Sequence, residues 1–179
     1  MELITSRLVL KEITWDHLEE VHKLHTIPEV DEFNTMGLAK SIAETRENIR
    51  PFIDIRKDVS QKAYNWAVFL KEDDTFIGMS GMFLSMDKYK MGEIYYKLLP
   101  KFWGQGFATE VARKMIDFGF DQLKLHRIEA GTAVGNIHSE NILLKIGMSH
   151  EGLRRKILPI RGQWVDGNQF AIVEDDPRT

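Results

Sequence analysis

The segment from Pro100 to Glu110 contains the residues whose types and spacing most directly suggest ligand binding. Gly104 and Gly106 stand one residue apart between a predicted strand and a predicted helix. Because glycine readily adopts positive φ, successive backbone N–H groups in such a loop can turn toward one point. Backed by the positive N-terminal end of the next helix, they would bind phosphate oxygens. A tight connection without a ligand is the alternative that this motif alone leaves open.

Two other phosphate-binding patterns fit the sequence less well. The Walker A string GxxxxGK[ST] does not occur in the chain. A dinucleotide fingerprint needs a third glycine or alanine, but Thr109 occupies that position, and the preceding strands are predicted to be antiparallel. Glu129 lies far enough downstream to hold a ribose, so a nicotinamide-binding protein stays open as an alternative.

Glu93 is the candidate general base. In an alternating strand it shares a face with Met91, Tyr95 and Lys97. A carboxylate among apolar residues can have a raised pKa and accept a proton, directly or through water. An exposed or ion-paired strand glutamate is the alternative interpretation.

Hydrophobic periodicity predicts the elements that must position these residues. Strands are predicted over residues 6–13, 64–70, 76–84, 91–98, 126–133, 153–160 and 164–173. Helices are predicted from Thr14 or Asp16 to about His25, and over 42–53, 108–122 and 139–146. Residues 26–40 read as a loop, and Pro51 is expected to kink or shorten its helix. This order predicts one α+β domain over residues 1–179, with a mixed, mostly antiparallel sheet and flanking helices.

Composition excludes several classes of protein. The chain has 179 residues, of which 43% are hydrophobic and 28% charged, and the net charge is -3. This indicates a globular protein, argues against nucleic acid as the main ligand, and leaves no apolar run long enough for a membrane helix. The charged N-terminal segment is unlike a signal peptide, so a cytoplasmic location is the default expectation.

The absence of cysteine narrows the chemistry further. With no cysteine in the chain, disulfides, cysteine zinc sites, iron–sulfur clusters and a thiol nucleophile are excluded. The six histidines form no HExxH pattern, so no metal site is expected. An enzyme of this composition that uses a thioester cannot carry the acyl group on its own cysteine.

Several segments together resemble one family. Residues 101–106, KFWGQG, resemble the (Arg/Gln)-x-x-Gly-x-(Gly/Ala) coenzyme A pyrophosphate loop of the GNAT superfamily of N-acyltransferases, with Lys101 in the first position. Residues 5–11, TSRLVLK, resemble the TxRLxLR opening of the ribosomal-protein N-terminal acetyltransferases, the Rim type. Residues 92–96, 136–139 with 144–148, 151–155 and 162–166 resemble further segments of those enzymes in the same order. The resemblance covers nearly the whole chain.

The resemblance implies direct transfer of an acetyl group from acetyl-CoA, as cosubstrate, to a primary amine. It implies that Glu93 lies beside the acceptor amine, that a backbone amide near Ile94 or Tyr95 polarises the thioester carbonyl, and that Asn136 tethers the pantetheine arm. Ser139 would protonate the leaving thiolate, because Leu143 stands where many relatives have a tyrosine. The remaining implied coenzyme contacts are Lys101, Trp103, Gly104, Gln105, Gly106, Phe107, Ala108 and Thr109. Arg113 and Lys145 are, with Lys101, candidate partners of the coenzyme phosphates.

The acceptor is less well defined than the coenzyme. A protein N-terminal α-amine is favoured, and a polyamine, an amino acid or an antibiotic is the alternative among enzymes. A module that binds acetyl-CoA without turnover is the alternative from another class. Arg154, Arg155, Lys156 and Arg161 could steer an acidic acceptor or form a solvated strand face. No nucleic-acid or membrane partner is expected, and monomer and homodimer both stay open.

Overall fold

One mixed sheet organises the molecule. The computed structural model describes residues 1–54 and 62–178, and in them eight strands form a single sheet in the order β1-β2-β3-β4-β5-β6-β8-β7. The strands are β1 (Glu2–Ile4), β2 (Leu8–Glu12), β3 (Ala63–Leu70), β4 (Phe76–Leu84), β5 (Met91–Leu98), β6 (Arg127–Ala133), β7 (Ser149–Ile160) and β8 (Gln163–Val173). All neighbours are antiparallel except β5 and β6, which are parallel. The predicted α+β class with a mixed, mostly antiparallel sheet is therefore confirmed.

Helices cover the two faces of this sheet. They are α1 (Leu18–His25), α2 (Pro28–Asp31), α3 (Ile42–Asp54), α4 (Phe107–Asp117) and α5 (Ile137–Lys145). On one face α1 and α3 bury a cluster that includes Val21, Leu24, Ile49 and Met79. On the other face α4 and α5 contribute to a larger cluster around Trp66, Met82, Met115, Phe118, Ile128 and Leu143.

The central strands β5 and β6 separate soon after they meet. Their ladder joins residues 91–93 to residues 127–129 and ends at the pair Glu93–Glu129. Beyond that pair β5 continues to Leu98 beside β4, and β6 continues to Ala133 beside β8. The two strands thus enclose a wedge, and the backbone of β5 from Ile94 onward forms one of its edges.

One prediction about the first third of the chain is wrong. Residues 26–40 are not all loop, because α2 lies within them and begins with Pro28, whose fixed φ suits a first helical turn. Pro51 lies inside α3, which extends to Asp54, one residue beyond the predicted end. Pro51 itself is exposed, whereas Ile49 and Ile53 are buried, so packing of the helix on the sheet outweighs the lost backbone hydrogen bond.

Other elements differ from prediction mainly at their ends. Strand β1 was not predicted, because only Leu3 of its three residues is buried and so short a segment has no visible period. The predicted helix over 108–122 divides into α4 and a π-helical turn, Phe118–Gln122. Helix α5 and strand β7 begin earlier than predicted, at Ile137 and Ser149. Within residues 1–54 and 62–178, every helix is too short or too polar to cross a membrane.

Candidate active site

The loop before α4 has the backbone geometry of an anion site. Gly104 and Gly106 both have positive φ, 73° and 80°, and Gly106 is the N-cap of α4. A Cβ built at Gly104 would have no heavy atom within 4 Å, so the outside of the loop is open. The first N–H groups of the eleven-residue helix α4 have no partner within the helix, as at any helix N-terminus. This is the backbone geometry of sites that bind anions.

Side chains of the loop support it from within. Trp103 donates its Nε1 hydrogen to the carbonyl of Leu98 at 2.8 Å, and Gln105 donates its Nε2 hydrogen to the carbonyl of Lys101 at 2.9 Å. The first turn of α4 comprises three other residues named by the resemblance, Phe107, Ala108 and Thr109. Phe107 and Thr109 are buried, and Ala108 packs against the core. Trp103 and Gln105 thus stabilise the loop through hydrogen bonds to nearby backbone carbonyls.

The opening segment of the chain holds this loop in place. The carboxylate of Glu110 accepts hydrogen bonds from Thr5 Oγ1 at 2.6 Å, Ser6 Oγ at 3.0 Å, the backbone N–H of Arg7 at 2.9 Å and Arg7 Nε at 2.7 Å. The Arg7 guanidinium also lies 4.3 Å from the Phe107 ring centre and donates to the carbonyl of Gln105 at 3.0 Å. Burial opposes ionisation of Glu110, but these donors hold its pKa below the usual value. The TSR segment thus anchors the first turn of α4.

We expect a Glu110→Ala variant to lose about 1–3 kcal/mol of unfolding free energy, because it removes the charge-assisted hydrogen bonds from Thr5, Ser6 and Arg7. Since the pKa of Glu110 is lowered in the folded state, the loss should be full at neutral pH and shrink as pH falls below about 4. Urea unfolding at pH 7 and at acid pH measures both. Glu47→Ala is the matched control, because Glu47 pairs with Arg50 on an exposed helix face. Equal effects of the two substitutions would contradict the anchoring role of Glu110.

A groove of about 490 Å³ runs along α4 beside the loop. Gly106 and Thr109 line it, together with the cations Arg7, Arg113, Lys114 and Lys145. Of the three cations expected near coenzyme phosphates, Arg113 and Lys145 border the groove. Lys101 does not border the groove. Its ammonium group instead lies 4.7 Å from the ring centre of Phe102.

Ser139 forms a hydrogen bond with a residue that was not among the predicted site residues, Tyr96. Asn136 is the N-cap of α5 and accepts a hydrogen bond from the Ser139 backbone N–H at 3.2 Å. The Ser139 hydroxyl is instead 3.1 Å from the hydroxyl of Tyr96, on β5. Burial raises the pKa of Tyr96 to about 12, although its hydrogen bond with Ser139 opposes the shift. Tyr96 therefore keeps its proton at neutral pH. Strand alternation places Tyr96 and Glu93 on opposite faces of β5, and this was the sequence signal that could have pointed to Tyr96.

Glu93 lies at the mouth of the wedge. In the ladders its neighbours are Phe83 on β4 and Glu129 on β6. Its side chain is exposed, yet neighbouring protein atoms displace enough water to raise its pKa, and Glu129 raises it further, against the opposing charge of Arg154. Glu129 accepts hydrogen bonds from Arg127 Nε at 2.7 Å and Gln169 Nε2 at 3.3 Å. The interpretation of Glu129 as a ribose ligand is wrong, since its carboxylate is held within the sheet.

The side chains of β5 beside the wedge alternate between the two faces of the sheet. Glu93, Tyr95 and Lys97 project toward the α1–α3 side, where Tyr95 packs against that cluster. Ile94 and Tyr96 project toward the α4–α5 side and join the cluster there. The Glu93 carboxylate and the hydroxyl pair of Tyr96 and Ser139 thus lie on opposite sides of β5.

The basic residues late in the chain are divided among different contacts. Arg154 donates to Gln169 Oε1 at 3.3 Å, and Arg161 donates to the carbonyl of Pro28 at 3.3 Å. Arg161 also lies 3.9 Å from the buried Asp31. Arg155 and Lys156 are exposed on β7. Two of the four cations, Arg154 and Arg161, thus contact other elements of the fold, and a steering role for the four stays a prediction.

Residues 7–149 match the family model described as an acetyltransferase (GNAT) domain. The chain belongs to the GNAT family. Over 172 residues this GNAT protein is 30% identical to the uncharacterized N-acetyltransferase YoaA of Bacillus subtilis, and the match covers 96% of each chain. It is an N-acetyltransferase that uses acetyl-CoA as cosubstrate.

Solved structures with the same GNAT fold act on different amines. A spermidine N-acetyltransferase from Vibrio cholerae, solved with CoA and spermine, has a TM-score of 0.82 at 20% identity over 95% of this chain and 97% of that one. A ribosomal-protein-S5-alanine acetyltransferase from Vibrio fischeri has a TM-score of 0.83 at 18% identity over 98% and 97% of the two chains. At these identities the similarity of the three structures concerns the fold alone and does not identify the acceptor of this chain.

Proposed function

We propose that this enzyme acetylates the α-amine of a peptide or protein N-terminus by direct transfer within a ternary complex with acetyl-CoA. The observation that supports it is the wedge between β5 and β6, which has Glu93 on one face and the Tyr96–Ser139 pair on the other. An amine and a leaving thiol that meet in the wedge from opposite faces would each find a group suited to its proton.

The proposed roles account for every atom transferred. The acceptor nitrogen forms a bond to the acetyl carbon while the carbon–sulfur bond breaks. Glu93 takes the proton that the nitrogen loses, and its raised pKa makes it a better base than an ordinary carboxylate. Ser139, hydrogen-bonded to Tyr96, supplies a proton to the thiolate, and exchange with solvent then returns a proton to Ser139 and removes the one on Glu93. A backbone N–H at Ile94 or Tyr95, on the open edge of β5, stabilises the carbonyl oxygen.

Proton chemistry favours an α-amine over a lysine. At pH 7.5, removing the proton from a lysine costs about 4 kcal/mol, whereas an α-amine, with a pKa near 7.7–8.0, costs less than about 1 kcal/mol. Glu93 is an exposed carboxylate, and such a base suits an amine that is already partly neutral. Its exposure also allows an acceptor attached to a larger chain to approach.

The experiment is a screen of N-terminal peptides, spermidine and free amino acids as acceptors with acetyl-CoA. Acetyl transfer is measured as the release of the free thiol of CoA. We expect peptides with a free α-amine to be acetylated, with intersecting lines in initial-rate plots, because the chain has no cysteine to carry an acetyl group. The same peptides with a blocked N-terminus and an internal lysine are the control. Parallel lines with an acetylated enzyme in mass spectra would contradict direct transfer, and acetylation of spermidine alone would contradict the acceptor class.

A further inference from the structure

An exposed aromatic ring lies directly beside the proposed base. Phe83 and Glu93 are opposite each other in the β4–β5 ladder, and side chains so placed project from the same face with Cβ atoms about 4.5–5.5 Å apart. The Phe83 side chain is 42% exposed although neighbouring β4 residues are buried. A large apolar surface is therefore available to whatever approaches Glu93.

Two further rings hold Phe83 in position. It stacks on Tyr95, with ring centres 5.5 Å apart and planes 23° apart, and Phe52 of α3 lies 6.1 Å from it. The Tyr95 hydroxyl donates to Asn65 Oδ1 at 2.7 Å, so its polar end is turned into the protein. Phe52, Phe83 and Tyr95 form what we call the aromatic wall.

On the β6 side of Glu93, the charged side chains are paired with one another. Glu129 is paired with Arg127 and Gln169, and Arg127 also pairs with Glu151. The positive charge of Arg154 acts on Glu93 as well. A second ammonium group on the acceptor would gain little here, because these carboxylates are already engaged. The surroundings of Glu93 suit an amine that carries one positive charge and an apolar neighbour.

We propose that the acceptor is an N-terminal residue with a large apolar side chain, which packs on the aromatic wall while its α-amine faces Glu93. This inference rests on the proposed function and narrows its substrate class. Phe83 is then a specificity residue rather than a catalytic one. Because an added apolar group in a hydrophobic site is worth about 10–200-fold in discrimination, the preference should be readily measured.

The experiment compares peptides that differ only in the first residue, Leu, Phe, Ala or Ser, with spermidine as a fifth acceptor. We expect kcat/KM to be at least about tenfold higher for Leu and Phe than for Ala and Ser, mainly through KM. Phe83→Ser should bring the Leu-to-Ala ratio close to one. Tyr89→Ser, which removes another exposed ring from the turn before β5, is the matched control and should keep the wild-type ratio.

The outcomes separate this inference from the function on which it rests. Equal rates for Leu and Ala peptides, or a preference for spermidine, would overturn the apolar acceptor. So would a Leu-to-Ala ratio that Phe83→Ser leaves unchanged. If Phe83→Ser fails to fold, the Leu-to-Ala ratio of kcat/KM in the wild type still tests the apolar acceptor. A Phe83→Leu variant, which keeps an apolar side chain, should then retain the preference for Leu. Failure of every peptide to accept acetyl groups would instead contradict the proposed function itself.

Discussion

A Gly106→Glu variant is expected to lose acetyl-CoA binding while remaining folded. Gly106 has a φ of 80°, where any other residue costs about 1–2 kcal/mol, which is less than the stability of most domains. The new side chain would start 3.5 Å from Arg7 Nη2 and place a negative charge at the N-terminal end of α4. That charge would repel a pyrophosphate from the site that backbone amides otherwise provide. Calorimetric titration with acetyl-CoA, accompanied by a thermal melt, measures both effects.

Gly162→Glu is the matched control for this variant. Gly162 has nearly the same φ, 76°, lies in the turn between β7 and β8, and a Cβ there has no heavy atom within 4 Å. It therefore introduces the same strain and the same charge away from α4, and we expect acetyl-CoA affinity to persist. Retained affinity in a folded Gly106→Glu protein would refute the phosphate role of the loop.

Glu93→Gln is expected to lower kcat/KM by about 10²–10⁴-fold, the usual contribution of a general base. Glutamine preserves the size of the side chain but cannot take the proton of the amine. For a peptide α-amine the loss should be greatest at low pH and shrink as pH rises, because the free amine becomes more abundant. A lysine-like acceptor should lose more. The measurement is a pH–rate profile of wild type and variant with the same peptide, with Glu47→Gln as the control.

A neighbouring substitution tests the cause of the raised Glu93 pKa. Burial is the main reason that the pKa of Glu93 is raised, and the negative charge of Glu129 adds to it; Glu129→Gln should therefore lower that pKa in part and move the acidic limb of the wild-type profile to lower pH. Ser139→Ala should act differently, with a loss that depends on the leaving thiol and little on the acceptor. If Glu93→Gln changes neither the rate nor the acidic limb, another carboxylate or a water chain is the base.

Local sequence was sufficient for the elements and the coenzyme loop. Glycines at 104 and 106 before an amphipathic helix predict a strand-to-helix turn whose amides face outward, and the positive φ values agree. Seven of the strands were located by alternation or by their content of aromatic and β-branched residues, and the longer helices by their period, because these signals arise from neighbouring residues. Short elements such as β1 and α2 escaped, since three or four residues do not establish a period.

The sequence by itself determined the fold class and indicated the glycine loop, Glu93 and Ser139 as candidate site residues. Only the tertiary structure decided what surrounds them. Glu110 receives its donors from residues more than 100 positions away, and Tyr96 meets Ser139 across 43 positions. Phe83 and Glu129 lie beside Glu93 because of ladder register and the early end of the β5–β6 pairing. Such contacts depend on how whole strands align, and no local period or motif encodes that alignment.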